Sequence, residues 1–66
     1  MKKLSQDLLA KTISALRKKQ NLTQTQLADM TGINRVMIGR IENKDYIPSI
    51  EQIQSLGEAL SFEVTD

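Results

Sequence analysis

Residues 24–43 read QTQLADMTGINRVMIGRIEN. Small and apolar residues recur there at the offsets that two crossed helices require. Leu27 and Ala28 come first, Gly32 lies four residues after Ala28, and Ile33, Ile38 and Ile41 follow. Ala28 is small where one helix crosses close to the other. Gly32 stands where the chain must turn sharply, because glycine enters a left-handed backbone without a Cβ penalty. Ile38 and Ile41 are three residues apart and share a helix face. The stretch predicts two short helices joined by a tight turn, with the rest of the chain holding the pair still.

The flanking residues agree. Thr23 precedes the pair, and Gln26 three residues later completes a capping-box pattern. Asn34 caps the second helix of the pair, which is expected to end near Asn43. Upstream, a helix is expected from about Ser5 to Gln20. Leu9, Ile13 and Leu16 form its core stripe, with Leu8 beside it. Lys18 and Lys19 suit the negative end of that helix, Asn21 suits its termination, and Leu22 is expected as a buried plug. Downstream, a polar loop from Lys44 to Ile47 leads to Pro48. Ser49 and Gln52 open a fourth helix with a second capping box. Ile50, Ile53, Leu56 and Leu60 give that helix its stripe. Gly57 costs it ~1 kcal/mol relative to alanine and is expected to allow close approach to the first helix. The tail 61–66 alternates Phe62 and Val64 with polar residues, a strand pattern. So short a strand needs a partner from another subunit. The preferred alternative is that Phe62 folds back onto the core.

Composition narrows the function classes. The 66 residues predict one domain, 1–66, and bury only roughly 60% of their unfolded surface. The chain has no cysteine and no histidine, so thiolate and imidazole metal sites and disulfide staples are excluded. No metal and no cofactor is expected. Tyr46 and Phe62 are the only aromatic residues, too few for a platform that stacks single-stranded bases. The sequence shows no signal peptide and no membrane span, and a cytoplasmic location is expected. The net charge of +1 conceals an asymmetry. Residues 1–44 hold nine basic and three acidic side chains, and residues 45–66 hold five acids and no base. Such halves suit one face toward a polyanion and another away from it.

On a helical wheel at ~100° per residue, Ile38 and Ile41 share the core side of the second paired helix. Arg35, Val36, Gly39, Arg40 and Asn43 fall on the opposite side. Arginines on an arbitrary helix are usually solvation alone. Here they lie on the second member of a helix-turn-helix, the element that enters the DNA major groove. Arginine donates two bonds to guanine, and valine meets a thymine methyl. Arg35, Val36 and Arg40 are therefore the candidate base readers. Gly39 reads no base but lets the backbone come close. Met37 belongs at the core edge. Gln24, at the start of the preceding helix, together with Asn43 and Lys44, is placed to contact phosphate. Lys18 and Lys19 are weaker candidates to add charge. Glu42 borders the core, and Arg17 is its expected partner, a tether between the second paired helix and the first helix of the chain.

The stretch LRKKQNLTQTQLADMTGINRVMIGRIENKDYIPS resembles the phage repressor and Cro type of helix-turn-helix, also called the xenobiotic-response-element family. The match runs over about residues 12 to 60. It is carried by Leu16-Arg17, Leu22-Thr23-Gln24, Leu27-Ala28, Gly32-Ile33, Ile38 and Ile41-Glu42-Asn43, with Pro48 after them. The resemblance implies an all-α, compact four- to five-helix bundle of the lambda-repressor-like type, dimeric on DNA. By position it makes Gln24 a DNA contact, Arg35, Val36 and Arg40 base readers, and Thr23 and Asn43 phosphate contacts. It also makes Arg17 and Glu42 a salt-bridged structural pair. Two departures stand out. Lys44 occupies a position where many members have glycine, and Gly39 one that often carries a contacting side chain. The chain also stops near where a fifth helix often begins.

The expected function is a sequence-specific double-stranded DNA-binding transcriptional regulator, a repressor, acting as a homodimer on its operator. One alternative is the antitoxin of a toxin–antitoxin module, with a toxin protein as partner. Another is a protein-interaction module without DNA binding. An enzyme is disfavoured, because no carboxylate pair sits in an evident cleft and no histidine or cysteine is present.

Overall fold

The computed structural model describes residues 6–62. Its elements run α1 (Gln6–Lys19), α2 (Gln24–Thr31), α3 (Arg35–Glu42) and α4 (Ile50–Leu60). The described chain is therefore all-α, with four helices, and α2 and α3 form the helix-turn-helix.

Local side chains set where the helices begin. Thr23 Oγ1 accepts from the Gln26 N–H at 3.0 Å, and Gln26 Oε1 accepts from the Thr23 N–H at 2.8 Å. Ser49 and Gln52 repeat this box at the start of α4, at 3.1 and 3.0 Å. Asn34 Oδ1 accepts from the Val36 N–H at 2.7 Å. Each cap contributes about 1 kcal/mol. Gly32 ends α2 at φ 74°, the left-handed turn expected of it. The other three helices close on left-handed residues that are not glycine: Asn21, Lys44 and Ser61, at φ 60°, 66° and 63°. After each, an N–H reaches back to the helix: Leu22 to Arg17 O, Asp45 to Arg40 O and Phe62 to Gly57 O. These bonds hold the reversed backbone against a steric cost of ~1–2 kcal/mol per residue. Lys44 thus keeps the conformation that glycine would take more easily.

One hydrophobic cluster joins the four helices. It contains Leu9 and Ile13 of α1, Leu27 and Ala28 of α2, Ile38 and Ile41 of α3, and Leu56 and Leu60 of α4, with Ile33 in the turn. Leu16, Leu22, Met37, Ile53 and Phe62 pack against it while partly exposed. Leu8, expected beside the α1 stripe, and Ile50, expected in the α4 stripe, lie outside the cluster. Leu8 is 51% exposed and Ile50 is 67% exposed. Leu8 sits a full ~100° around α1 from Leu9. Ile50 is the first residue of α4, and a helical side chain covers the turn before its own Cα, which here is the exposed loop.

Gly57 does not open a path to α1. A Cβ there would lie 2.7 Å from the carbonyl oxygen of Phe62, so the close neighbour is the returning chain. Phe62 also donates its N–H to Gly57 O at 2.9 Å, which is the fold-back expected of it. Val64 and the strand pattern of the tail lie outside the described residues. Gly57→Ala is expected to lower stability by about 1 kcal/mol, the clash exceeding alanine's helix preference. Urea unfolding measures it, and a gain in stability would refute the contact.

Candidate DNA interface

α3 presents two faces because its apolar residues recur at helical spacing. Ile38 and Ile41 are each 1% exposed. Arg35, Val36, Arg40 and Asn43 are exposed on the other side, and Val36 reaches 57%. Met37 is partly buried against the core. Gly39 lies beside the Gln24 amide, whose Oε1 would be 3.8 Å from a Cβ at that position. The mid-helix groove face is therefore low, and Gln24 borders it.

A chain of polar contacts ties this face to α1. Arg17 Nε donates to Glu42 Oε2 at 2.7 Å and Arg17 Nη2 to Glu42 Oε1 at 3.1 Å, a two-pronged pair. Arg17 Nη1 donates to Leu22 O at 2.8 Å, which adds the α1–α2 loop. The two side chains are only 12% and 8% exposed. The hydrogen bond to Glu42 raises the Arg17 guanidinium above its ordinary value. Burial opposes this, and the attraction of the Glu42 charge adds to it. Stability from the charged guanidinium is full below arginine's ordinary value and is lost only as pH rises through the raised one. It is constant across neutral pH.

Gln24 continues the chain. Its Nε2 donates to Glu42 Oε1 at 3.1 Å, and its Oε1 accepts from Arg35 Nη1 at 3.2 Å. The amide is thus engaged at both ends, a role that sequence spacing did not reveal because only the crossing of α2 over α3 brings Gln24 to Arg35. What remains for an anion is the start of α2, where the Gln24 and Thr25 N–H groups stand outside the helical ladder. Thr23 is exposed, and its hydroxyl accepts the Gln26 N–H while its own proton can still be donated. Asn43 is exposed and closes α3, its N–H bonded to Gly39 O at 3.0 Å.

Lys44 follows, with Nζ 3.2 Å from Asp7 Oδ1. Its carbonyl accepts from Gln6 Nε2 at 2.8 Å, so the first turn of α1 is clasped to the end of α3. The Asp7 and Gln6 contacts join residues nearly forty positions apart, and no local pattern announces them. The arrangement offers a guanidinium-bearing helix face, flanked by hydroxyl, amide and ammonium donors.

A helix-turn-helix family profile matches residues 13–66. The immunity repressor protein of Bacillus phage phi105 is 36% identical over 53 residues, covering 80% of this chain and 37% of that protein. The control protein C.SmaI of Serratia marcescens is 33% identical over 58 residues, covering 88% of this chain and 69% of that protein. The chain thus spans little more than a third of the phage repressor's length and about two thirds of the control protein's. With the profile covering most of its length and α2 and α3 crossing as described, the chain belongs to the helix-turn-helix family.

Proposed function

We propose that the chain is a sequence-specific double-stranded DNA-binding transcriptional regulator, a repressor, that reads the major groove with α3. One observation carries this reading. Arg35, Val36 and Arg40 stand exposed on the helix whose opposite face is sealed into the core by Ile38 and Ile41. The names of the phage repressor and the control protein support it. Thr23, Gln24 (through the start of α2), Asn43 and Lys44 take phosphates. The regulator acts in the cytoplasm as a homodimer, with its two reading helices about 34 Å apart on paired half-sites. Ile47, in the loop after α3, and Ile50, the first residue of α4, are 70% and 67% exposed and offer apolar surface for self-contact.

Selection from random duplexes, followed by titration in salt, tests the reading. Binding to the selected duplex is expected to weaken steeply as salt rises, because each neutralised phosphate releases counterions. No selected sequence, or affinity flat in salt, would leave the protein-interaction module as the better account.

A further inference from the structure

A second cationic surface lies along α1. Lys11, Ser14 and Lys18 recur at intervals of three and four residues and share one helix face. Together with Lys44 they line an open groove of about 490 Å³. We propose that this groove holds the sugar-phosphate backbone of the duplex, beyond the part that α3 reads. The proposal rests on the DNA-binding reading above and deepens it.

Charge is the first support. Lys11 and Lys18 are exposed and form no ion pair among the described residues. The one acid lining the groove is Glu42, whose carboxylate is already engaged by Arg17 and Gln24. The groove therefore presents two ammonium groups, of Lys11 and Lys18, with no acid paired to them, and a third, of Lys44, paired only to the exposed Asp7. Shape is the second. Ala10 and Ala15 also line it, and such short side chains let a polyanion come close to the helix. Lys11 and Lys18 are seven residues apart, about 10.5 Å along the axis, a reach suited to an extended strand more than to one small anion. Occupancy is the third. The Asp7 carboxylate already rests on Lys44 at 3.2 Å, both side chains being well exposed. An oxyanion is accepted there, and so solvated a pair is weak enough to exchange for a phosphate. Continuity is the fourth. Lys44 follows Asn43 at the end of α3, so a backbone leaving the reading helix meets the groove without a gap. An acidic peptide would meet the same ammonium groups, but nothing would direct it to the end of the reading helix.

The test uses the whole chain and the double variant Lys11→Gln/Lys18→Gln, whose exposed substitutions keep good helix formers. Each binds a selected duplex in two lengths, one trimmed to the bases that α3 covers and one extended by a helical turn on each side. The logarithm of affinity is followed against the logarithm of salt. On the long duplex the variant's slope is expected to be shallower by about 1.8, two phosphate contacts at roughly 0.9 each. On the short duplex the two proteins are expected to agree, and base preference should be the same for both. Equal slopes on the long duplex would overturn the proposal. So would a loss of the same size on both lengths, since that would be a general field effect. If the unaltered chain binds no duplex, the DNA-binding reading itself falls, an outcome visible without the variant.

Discussion

Arg17→Met is expected to lower the stability of the fold by up to about 3–5 kcal/mol, the cost of stranding one member of a buried ion pair, as this pair is part-buried. The whole chain, at 66 residues, has roughly 3–10 kcal/mol available. The loss is therefore a large fraction of the fold's stability, and urea titration against the unaltered chain measures it. The cost does not come from the pair's net attraction, which is small once desolvation is counted. It comes from Glu42, whose carboxylate, at 8% side-chain exposure, would be left with only the Gln24 amide as a donor. Arg17→Met/Glu42→Leu removes that charge and should regain most of the loss. Additive effects in the cycle would remove the pair as a coupled unit. Because Glu42 also accepts from Gln24, and Gln24 from Arg35, the single variant should loosen the reading face even under conditions where the fold survives.

The fold was legible wherever its cause was local. Thr23 with Gln26, and Ser49 with Gln52, name their helix starts because a cap spans only three residues. Gly32 names its turn because few other residues take a positive φ cheaply. Ile38 and Ile41 name the core face because their spacing repeats the helix. The same reasoning misplaced Ile50 and Gly57. Periodicity says which side of a helix is apolar, but not how far the core extends along it, so Ile50 was counted inside when it lies past the end. For Gly57, small size announced a close neighbour without identifying it, and the neighbour is Phe62. Of the candidate site, the exposure of Arg35 and Arg40 and the Arg17–Glu42 pair were legible. The role of Gln24 was not, because its two bonds depend on how α2 lies across α3. Lys44 shows a related limit. Its side chain disfavours the left-handed region, yet the back-bond from Asp45 to Arg40 O at 2.8 Å retains that conformation.

Arg40→Ala is expected to cost ~1–3 kcal/mol in binding to the selected duplex and to relax preference at one base pair. The size follows from a guanidinium that donates twice to a guanine edge. The free protein shows how Arg35 and Arg40 differ. Arg35 is held by Gln24 Oε1 at 3.2 Å, so part of its ordering entropy is already spent before DNA arrives. Arg40 is exposed and forms no ion pair among the described residues, so it must order on binding and gives up more freedom for the same contact. Gln24→Ala should therefore weaken binding by about 0.5–1.5 kcal/mol, the cost of ordering one long side chain. Its effect should fall on the base pair that Arg35 reads and not on Arg40's. Lys44→Ala, at a position proposed to contact phosphate and no base, should weaken cognate and random duplexes alike and reduce the salt slope by about 1. Repeating the duplex selection with each variant separates the three outcomes. If Arg40→Ala loses as much on random DNA as on the selected site, Arg40 is a backbone contact and base reading rests on Arg35 and Val36.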